Sequence, residues 1–405
     1  MKSLKELLIL GPGPSSSHTI GPYRIVNDFL KRTSKMKVES YSILVCGSLA
    51  LTGKGHFTDL IIKKALEGKK YSLSFSSSFS NLKHPNTMKL TANLKDNSIY
   101  SLTYFSIGGG SFRVDGEENN INDLYPFSSF DELKKYMETN NIYDIYQIIE
   151  HFEGEEIYKY GLSLLKSMFN TIKSELKEDF YLPGPLKLET VSMKIYKNAL
   201  LLKNKDEKRT MLLTAFSYAT SEANAMGKIV CTTPTCGASD VVPAVLYYEK
   251  VFHHYSYKEL VKAFLVGALV CNFIKENAAV SGALLGCQAE IGSASCFASA
   301  SLCYLHHLSL RQIEYGAEVA MEHFLGLTCD PVNGYVQIPC IERNGMASIH
   351  SYTSYLYSKD IAPFRSNKVS FDNVIKAMKE TGEKMDQDLK ETSLGGLAKI
   401  VHFSC

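Results

Sequence analysis

The sequence predicts an α/β (α+β) N-terminal domain followed by a mostly α-helical C-terminal domain, and three observations carry that prediction. Residues 38 to 115 contain "VESYSILVCGSLAL", "KKYSLSFSSSFS", "MKLTANL" and "SIYSLTYFSIGGG", stretches rich in Tyr, Ile, Val, Ser and Thr that partly alternate, as strands do. From about residue 208 onward the pattern changes to long helical stretches such as "LLTAFSYATSEANAMG", "YKELVKAFLVGALVCNFIKENAA" and "LRQIEYGAEVAMEHFLG". Between them, residues 116 to 190 are polar and charged, with loops at "DGEENNIND" and "YLPGPLKLE" around helices expected near 129 to 178. The expected division is an α/β domain over 1–150, a linker with connecting helices over 151–190 and a helical domain over 191–405.

The elements follow in chain order. "MKSLKELLIL" reads as a short amphipathic opening without the apolar core or cleavage site of a signal peptide, so a cytoplasmic address is expected. "GPGPSSSHTIGP" suits neither helix nor strand and reads as a loop braced by Pro12, Pro14 and Pro22 ahead of a helix at "GPYRIVNDFLKRTS". "DLIIKKALEG" is a helix set between strands. The uncharged run from Ile291 to Leu310 has membrane-spanning length, but its Ser, Ala and Cys content and its His306–His307 pair favour a buried helix.

A chain of 405 residues with 45% hydrophobic content suits two or three domains with ordinary cores. Its formal net charge is +2 with both signs scattered, so no basic face announces nucleic acid or an anionic membrane. Ten cysteines in such a chain are read as thiols, metal ligands or small buried hydrophobes rather than disulfides. Cys46, Cys271, Cys296 and Cys303 sit inside apolar periodic segments and read as buried thiols, whereas Cys231, Cys236, Cys287, Cys329, Cys340 and Cys405 lie in or beside loop-like sequence. The spacings of 42 positions from Cys287 to Cys329 and 11 on to Cys340 match no short ferredoxin-type run, and spacing alone leaves ligands and scattered thiols equally open.

Seven segments in order, "GPSSSHTIGP", "GSLALTGKGHFTD", "KHPNTM", "SIGGG", "SEANAMGKIVCTTPTCGASDVVPAVL", "SGALLGCQAEIGSAS" and "EHFLGLTCDPVNGYVQIPCIERN", resemble the iron-sulfur-dependent bacterial L-serine dehydratases (L-serine ammonia-lyases), in the form that carries both domains on one chain. The resemblance implies a [4Fe-4S] cluster anchored by Cys287, Cys329 and Cys340. Its fourth iron would be open to the substrate hydroxyl or capped by the terminal Cys405, a role weighed against that of a frayed end. It implies L-serine as substrate and pyruvate with ammonia as products, and is compatible with a homodimer. Among the eleven histidines, His56 in "GKGHFT" and His18 in "SSSHT" fall in matching loops. His56 is the expected base for the Cα proton and His18 its partner, an order that can be reversed.

The resemblance also gives the opening loop a ligand. Ser15, Ser16, Ser17 and Thr19 offer donors suited to an amino-acid carboxylate, although local chemistry alone equally fits a turn capping the next helix. Further expected contacts are His84, Asn86 and Thr87, then Thr235, Cys236, Lys275 and Asn277. This sequence departs from the family where Cys236 replaces a frequent Asn, Leu284 an acidic residue and Asp240 a frequent Gly. Cys236 is therefore open between substrate contact, fourth ligand and inert filler. The rival readings are the same elimination on L-threonine or L-cysteine and an amino-acid-binding protein with structural zinc. A pyridoxal-phosphate dehydratase is disfavoured because no lysine stands out as its Schiff-base former.

Overall fold

The computed structural model describes residues 1–117 and 123–401. A single turn at Leu4–Glu6 leads to strand β1 (Leu10–Pro12), a π-helical turn at Ser16–Ile20 and helix α1 (Gly21–Thr33). Then come β2 (Val38–Gly47), α2 (Ser48–Leu51), α3 (Thr58–Ala65), β3 (Tyr71–Ser76), β4 (Asn86–Leu94), β5 (Ile99–Gly108) and β6 (Ser111–Val114). Five of these strands form one mixed sheet in the order β3-β2-β4-β5-β6, in which β2 and β3 are parallel and the other pairs antiparallel.

The alternation expected from the sequence decides which face of the sheet is covered. Tyr41, Ile43 and Val45 of β2 and Met88, Leu90 and Ala92 of β4 point to one side, with Ile43 opposite Leu90 and Val45 opposite Met88. Ile25, Val26 and Phe29 of α1 and Ile62 of α3 close over them. Polar Ser42, Thr91 and Ser101 line the opposite face, where their hydroxyls bond across strands.

Among the described residues, the regular structure that follows is helical apart from a three-residue strand. The elements are α4 (Phe130–Thr139), α5 (Ile145–Glu153), α6 (Glu156–Glu175), α7 (Ser192–Leu201), α8 (Lys205–Ala225), β7 (Ile229–Cys231) and α9 (Val241–Phe252). They continue with α10 (Tyr257–Asn277), α11 (Gly282–Leu285), α12 (Ile291–Leu305), α13 (Leu310–Glu322), α14 (Cys340–Asp360), α15 (Phe371–Lys384) and α16 (Gly396–Ile400). Helix α12 is the centre: every residue but Tyr304 is buried, and α9, α10, α13 and α14 pack around it. Its Ala, Ser and Gly side chains let those neighbours approach closely. The uncharged run is a core helix, and among the described residues no helix is long and apolar enough to cross a membrane.

One apolar cluster runs through the helical part, and it includes the start of the chain. Met1, Leu4, Leu7 and Leu8 are buried in it beside Tyr125, Phe127, Phe130 and Phe273. The Met1 ammonium donates to the Tyr125 carbonyl at 2.8 Å, and the Tyr160 hydroxyl donates to the Leu8 carbonyl at 2.5 Å. Next, β1 pairs antiparallel with β7, Leu10 facing Cys231 and Pro12 facing Ile229. The chain is therefore fastened to the helical part before it enters the sheet. The Gly-Pro-Ser loop between β1 and α1 lies by necessity in the seam between the two parts.

Because Leu4 is fully buried, Leu4→Ala should lower stability by about 2–5 kcal/mol in denaturant unfolding, as in an interior helix. A loss under about 0.5 kcal/mol, the usual size for a surface change, would mean that the first turn frays instead of packing.

Candidate active site in the seam

The serine loop is held from both sides. Gly13 N–H donates to the Lys228 carbonyl at 2.9 Å, and Asn224 Nδ2 donates to the Pro14 carbonyl at 2.8 Å, so α8 anchors its entry. Ser15 caps the π-helical turn, its Oγ accepting from His18 N–H at 3.2 Å. On the sheet side, Ser106 Oγ of β5 donates to the Ser17 carbonyl at 2.7 Å.

Two threonines then lock the two histidines together. Thr19 Oγ1 donates to the His56 carbonyl and Thr58 Oγ1 donates to the His18 carbonyl, each at 2.7 Å. The imidazole rings meet with centroids 4.6 Å apart, and both side chains are buried. Gly55, just before His56, lies against the Gly334 carbonyl, where a Cβ would collide with it, so the "GKGH" loop needs glycine there.

A third element reaches this pair from the C-terminal segment. Glu391 Oε1 lies 3.3 Å from His18 Nδ1 and 3.9 Å from His56 Nε2. Ser17 Oγ lies 2.9 Å from His18 Nδ1. Ser48 Oγ is 3.3 Å from His18 Nε2 and donates to the Glu391 carbonyl at 2.8 Å. His18 thus has neighbours at both ring nitrogens, whereas among the described residues neither nitrogen of His56 has a hydrogen-bond partner. Burial pushes His56 down to about 4. Burial and then the neighbouring His56 push His18 well below its ordinary value. Both rings are neutral near pH 7, and a neutral imidazole with a free nitrogen can accept a proton.

The small cavity that His56 faces is lined by Pro14, Ser15, Gly237, Cys287, Glu290, Cys329, Cys340 and Glu391, among others. Donor atoms of Cys287, Glu290 and Cys329 all lie within 4.8 Å of one another, with Glu290 Oε2 3.9 Å from each sulfur. Cys340 joins from the first position of α14. "GCQAE" explains the convergence: Cys287 and Glu290 face the cavity, while buried Gln288 donates to the Leu285 and Met378 carbonyls and accepts from Gly326 N–H. Gln288 N–H also bonds the Leu327 carbonyl, drawing the Cys329 loop alongside. Cys329 in turn exchanges backbone bonds with Leu389 and Glu391, at 2.8 and 2.7 Å.

This crowd of acids is electrostatically uncomfortable as it stands. The Cys287 thiol and burial push Cys329 well above its ordinary value, burial and then Cys287 do the same for Cys340, and burial lifts Glu290 to about 7. Burial and then Glu290 raise Glu391. Arg343 stands nearby, bonded to the Thr328 carbonyl and to Asp330 at 2.7 and 2.9 Å. A cationic metal centre among the thiols would reverse these shifts, because thiolates and carboxylates are its natural donors. Gly282 leaves space beside them: a Cβ there would come within 2.7 Å of Glu290 Oε2 and 3.0 Å of Cys329 Sγ. The donor set and the space fit a thiolate-held metal centre.

The expected site residues divide between the cavity and elsewhere. Ser15, His56, Cys287, Cys329 and Cys340 line it, and His18 stands behind His56. Ser16, Ser17 and Thr19 are buried, and the Ser17 and Thr19 hydroxyls brace the histidines. Thr235 is buried beside the Glu290 carboxyl. Cys236 packs with Ile9, Ile20 and Val230 under the loop and is not on the lining.

His84 and Asn86 sit at the start of β4, Asn86 opposite Gly47, and neither lines the cavity. Lys275 and Asn277 are not brought to it. Lys275 Nζ donates to the Glu6 carbonyl at 2.5 Å and Asn277 Nδ2 to the Ser128 carbonyl at 2.6 Å, because the end of α10 faces the chain start and the α4 approach. Asp240, a departure from the family pattern, is buried against Ser217 and is likewise off the lining. Cys405 lies outside the described residues. Sequence reasoning missed Glu391, Ser48 and Glu290; Ser48 and Glu290 stood in quoted motifs, Glu391 in none.

Two family models divide the chain between them: the serine dehydratase beta chain over residues 3–74 and the serine dehydratase alpha chain over residues 62–398. The chain belongs to the serine dehydratase family. Curated relatives of this serine dehydratase include the L-serine dehydratase of Haemophilus influenzae, 33% identical over 99% of this chain and 100% of the relative. L-serine dehydratase 2 of Escherichia coli is 34% identical over 99% of both chains, and the L-serine dehydratase of Helicobacter pylori is 35% identical over 98% of this chain and 99% of its own. Alpha-type and beta-type segments stand here on one chain, and the alpha-type segment supplies the three clustered cysteines.

Thr58→Val should cost about 1–3 kcal/mol in denaturant unfolding by leaving the buried His18 carbonyl unpaired, with Thr58→Ser retaining most of the stability. Equal losses in the two variants would show that the hydroxyl holds nothing.

Proposed function

We propose that this enzyme deaminates L-serine to pyruvate and ammonia by eliminating water across the Cα–Cβ bond, at a [4Fe-4S] cluster held by Cys287, Cys329 and Cys340. The carrying observation is that a buried imidazole without a hydrogen-bond partner among the described residues lines one cavity with three cysteines. The names of the curated relatives support the substrate. When bound, the cluster supplies a Lewis acid for the departing hydroxyl. Cys405 is read as a displaceable further ligand. The segment that precedes it is fastened to the Cys329 loop through Ser393 to the Pro331 carbonyl at 2.6 Å and Leu397 N–H to Asp330 at 2.8 Å, which supports that reading.

The protein's own groups divide the remaining work. His56, neutral and with neither nitrogen hydrogen-bonded among the described residues, takes the Cα proton as the hydroxyl leaves. Glu391, with Oε1 3.9 Å from His56 Nε2, and His18, whose ring packs on that of His56, hold this base in position beside the cavity. Ser15 offers its hydroxyl and backbone to the amino-acid end of the substrate from the cavity wall. The seam excludes bulk water from the aminoacrylate product, which tautomerises to an imine after release and hydrolyses to pyruvate and ammonia.

Purification without oxygen should give a coloured protein with about four irons and four sulfides per chain. It should release pyruvate from L-serine with a higher kcat/KM than it shows on L-threonine or L-cysteine. Serine substitution at Cys287, Cys329 or Cys340 should remove iron and activity together. A colourless, iron-poor protein that still makes pyruvate would overturn the proposal.

A further inference from the structure

A second convergence of metal-ligand side chains lies where α9 and α12 end. Glu249 is fully buried near the end of α9, His253 caps that helix and His306 caps α12. Glu249 Oε2 lies 2.7 Å from His253 Nδ1 and 3.3 Å from His306 Nε2, and the three donor atoms fall within 4.8 Å of one another. None of these residues lines the cysteine cavity, and α9, whose start follows the Gly237 loop on the cavity wall, spans about 18 Å.

The site is under-satisfied as a hydrogen-bond network. Glu249 Oε1 has no partner among the described residues, and His306 Nε2 makes no properly directed hydrogen bond despite its short separation from the carboxylate. A buried carboxylate left half unpaired carries a desolvation cost that a bound cation would offset. The His306 ring is also held in place. It stacks on Tyr355 with centroids 4.5 Å apart, and its Nδ1 lies 3.3 Å from the Tyr255 hydroxyl, which leaves Nε2 aimed at Glu249. Outer partners that fix the second nitrogen of an imidazole are the usual support of a metal-ligating histidine. His253 is 39% exposed, so the cluster opens to solvent on one side.

We propose that Glu249, His253 and His306 form a site for zinc or a similar first-row divalent ion, separate from the cysteine centre. Two imidazoles and one carboxylate suit such an ion better than calcium or magnesium, and three protein ligands leave a position for water. Ligands at about 2.0–2.2 Å from a tetrahedral ion lie roughly 3.3–3.5 Å apart, so the His253–Glu249 separation of 2.7 Å must open by under about 1 Å, which the exposed position of His253 at the helix end permits. The ion would tie the ends of α9 and α12, the helices that begin just after the Cys236 and Cys287 loops.

The test uses cluster-loaded protein kept free of oxygen and equilibrated by dialysis with Zn²⁺ alone, with zinc and iron counted together. The wild type should retain one zinc per chain and melt at a higher temperature with zinc than without. His253→Gln and His306→Gln should each bind zinc at least tenfold more weakly and lose the thermal response, at unchanged iron content. His253→Gln changes an exposed side chain, so it reports on binding even if the His306 variant is poorly folded. Failure of the wild type to retain zinc, or zinc kept equally by His253→Gln, would overturn the proposal and leave Glu249 a hydrogen-bonded carboxylate only.

Discussion

The seam depends on a reciprocal pair of hydrogen bonds in which each histidine loop is held by a threonine of the other. Thr19 follows His18 and grips the His56 carbonyl; Thr58 lies two residues beyond His56 and grips the His18 carbonyl. Neither loop has regular structure long enough to fix a side chain unaided, and the crossed bonds give each imidazole a backbone that cannot shift alone. The β1–β7 pairing supplies the other half of this constraint by stitching the serine loop to the helical part. Catalytic geometry assembled from loops is reliable only when a second layer of contacts holds it.

Charge is arranged around the same point. Acidic neighbours and burial raise the proton affinity of Cys329, Cys340 and Glu391, burial raises that of Glu290, and the two imidazoles are driven neutral by desolvation. This pattern wastes stability in a protein without a task and is ordinary at a reactive site. Arg343 and Asp330 link the cysteine loop to the C-terminal segment, so the end of the fold is fastened to the centre of the site. That connection is why Glu391, far along the chain, stands between two histidines near its start.

Much of the fold could be read from residue patterns because those patterns act locally. Alternation at Tyr41, Ile43 and Val45 and at Met88, Leu90 and Ala92 marks the covered sheet face, and small residues along Ile291–Leu305 mark a helix packed on every side. Met1, Leu4 and Leu8 were harder, because an amphipathic opening does not reveal which core will receive it. Cysteines 42 and 11 positions apart could not be joined by spacing. Their convergence depends on Gln288 tying two loops together, and recognition of the surrounding motifs was what singled them out. Lys275 and Asn277 fail for the converse reason: polar residues at a helix end are as readily used to bind backbone carbonyls, as both do here. Glu391 carried no local signal at all.

The most direct measurement follows the Cα hydrogen itself. With L-serine deuterated at Cα and iron-replete, oxygen-free protein, the wild type should release the label to water as pyruvate forms, whereas His56→Ala, with full iron, should do so at least about a hundredfold more slowly. Release of the label by His56→Ala at the wild-type rate would contradict the account.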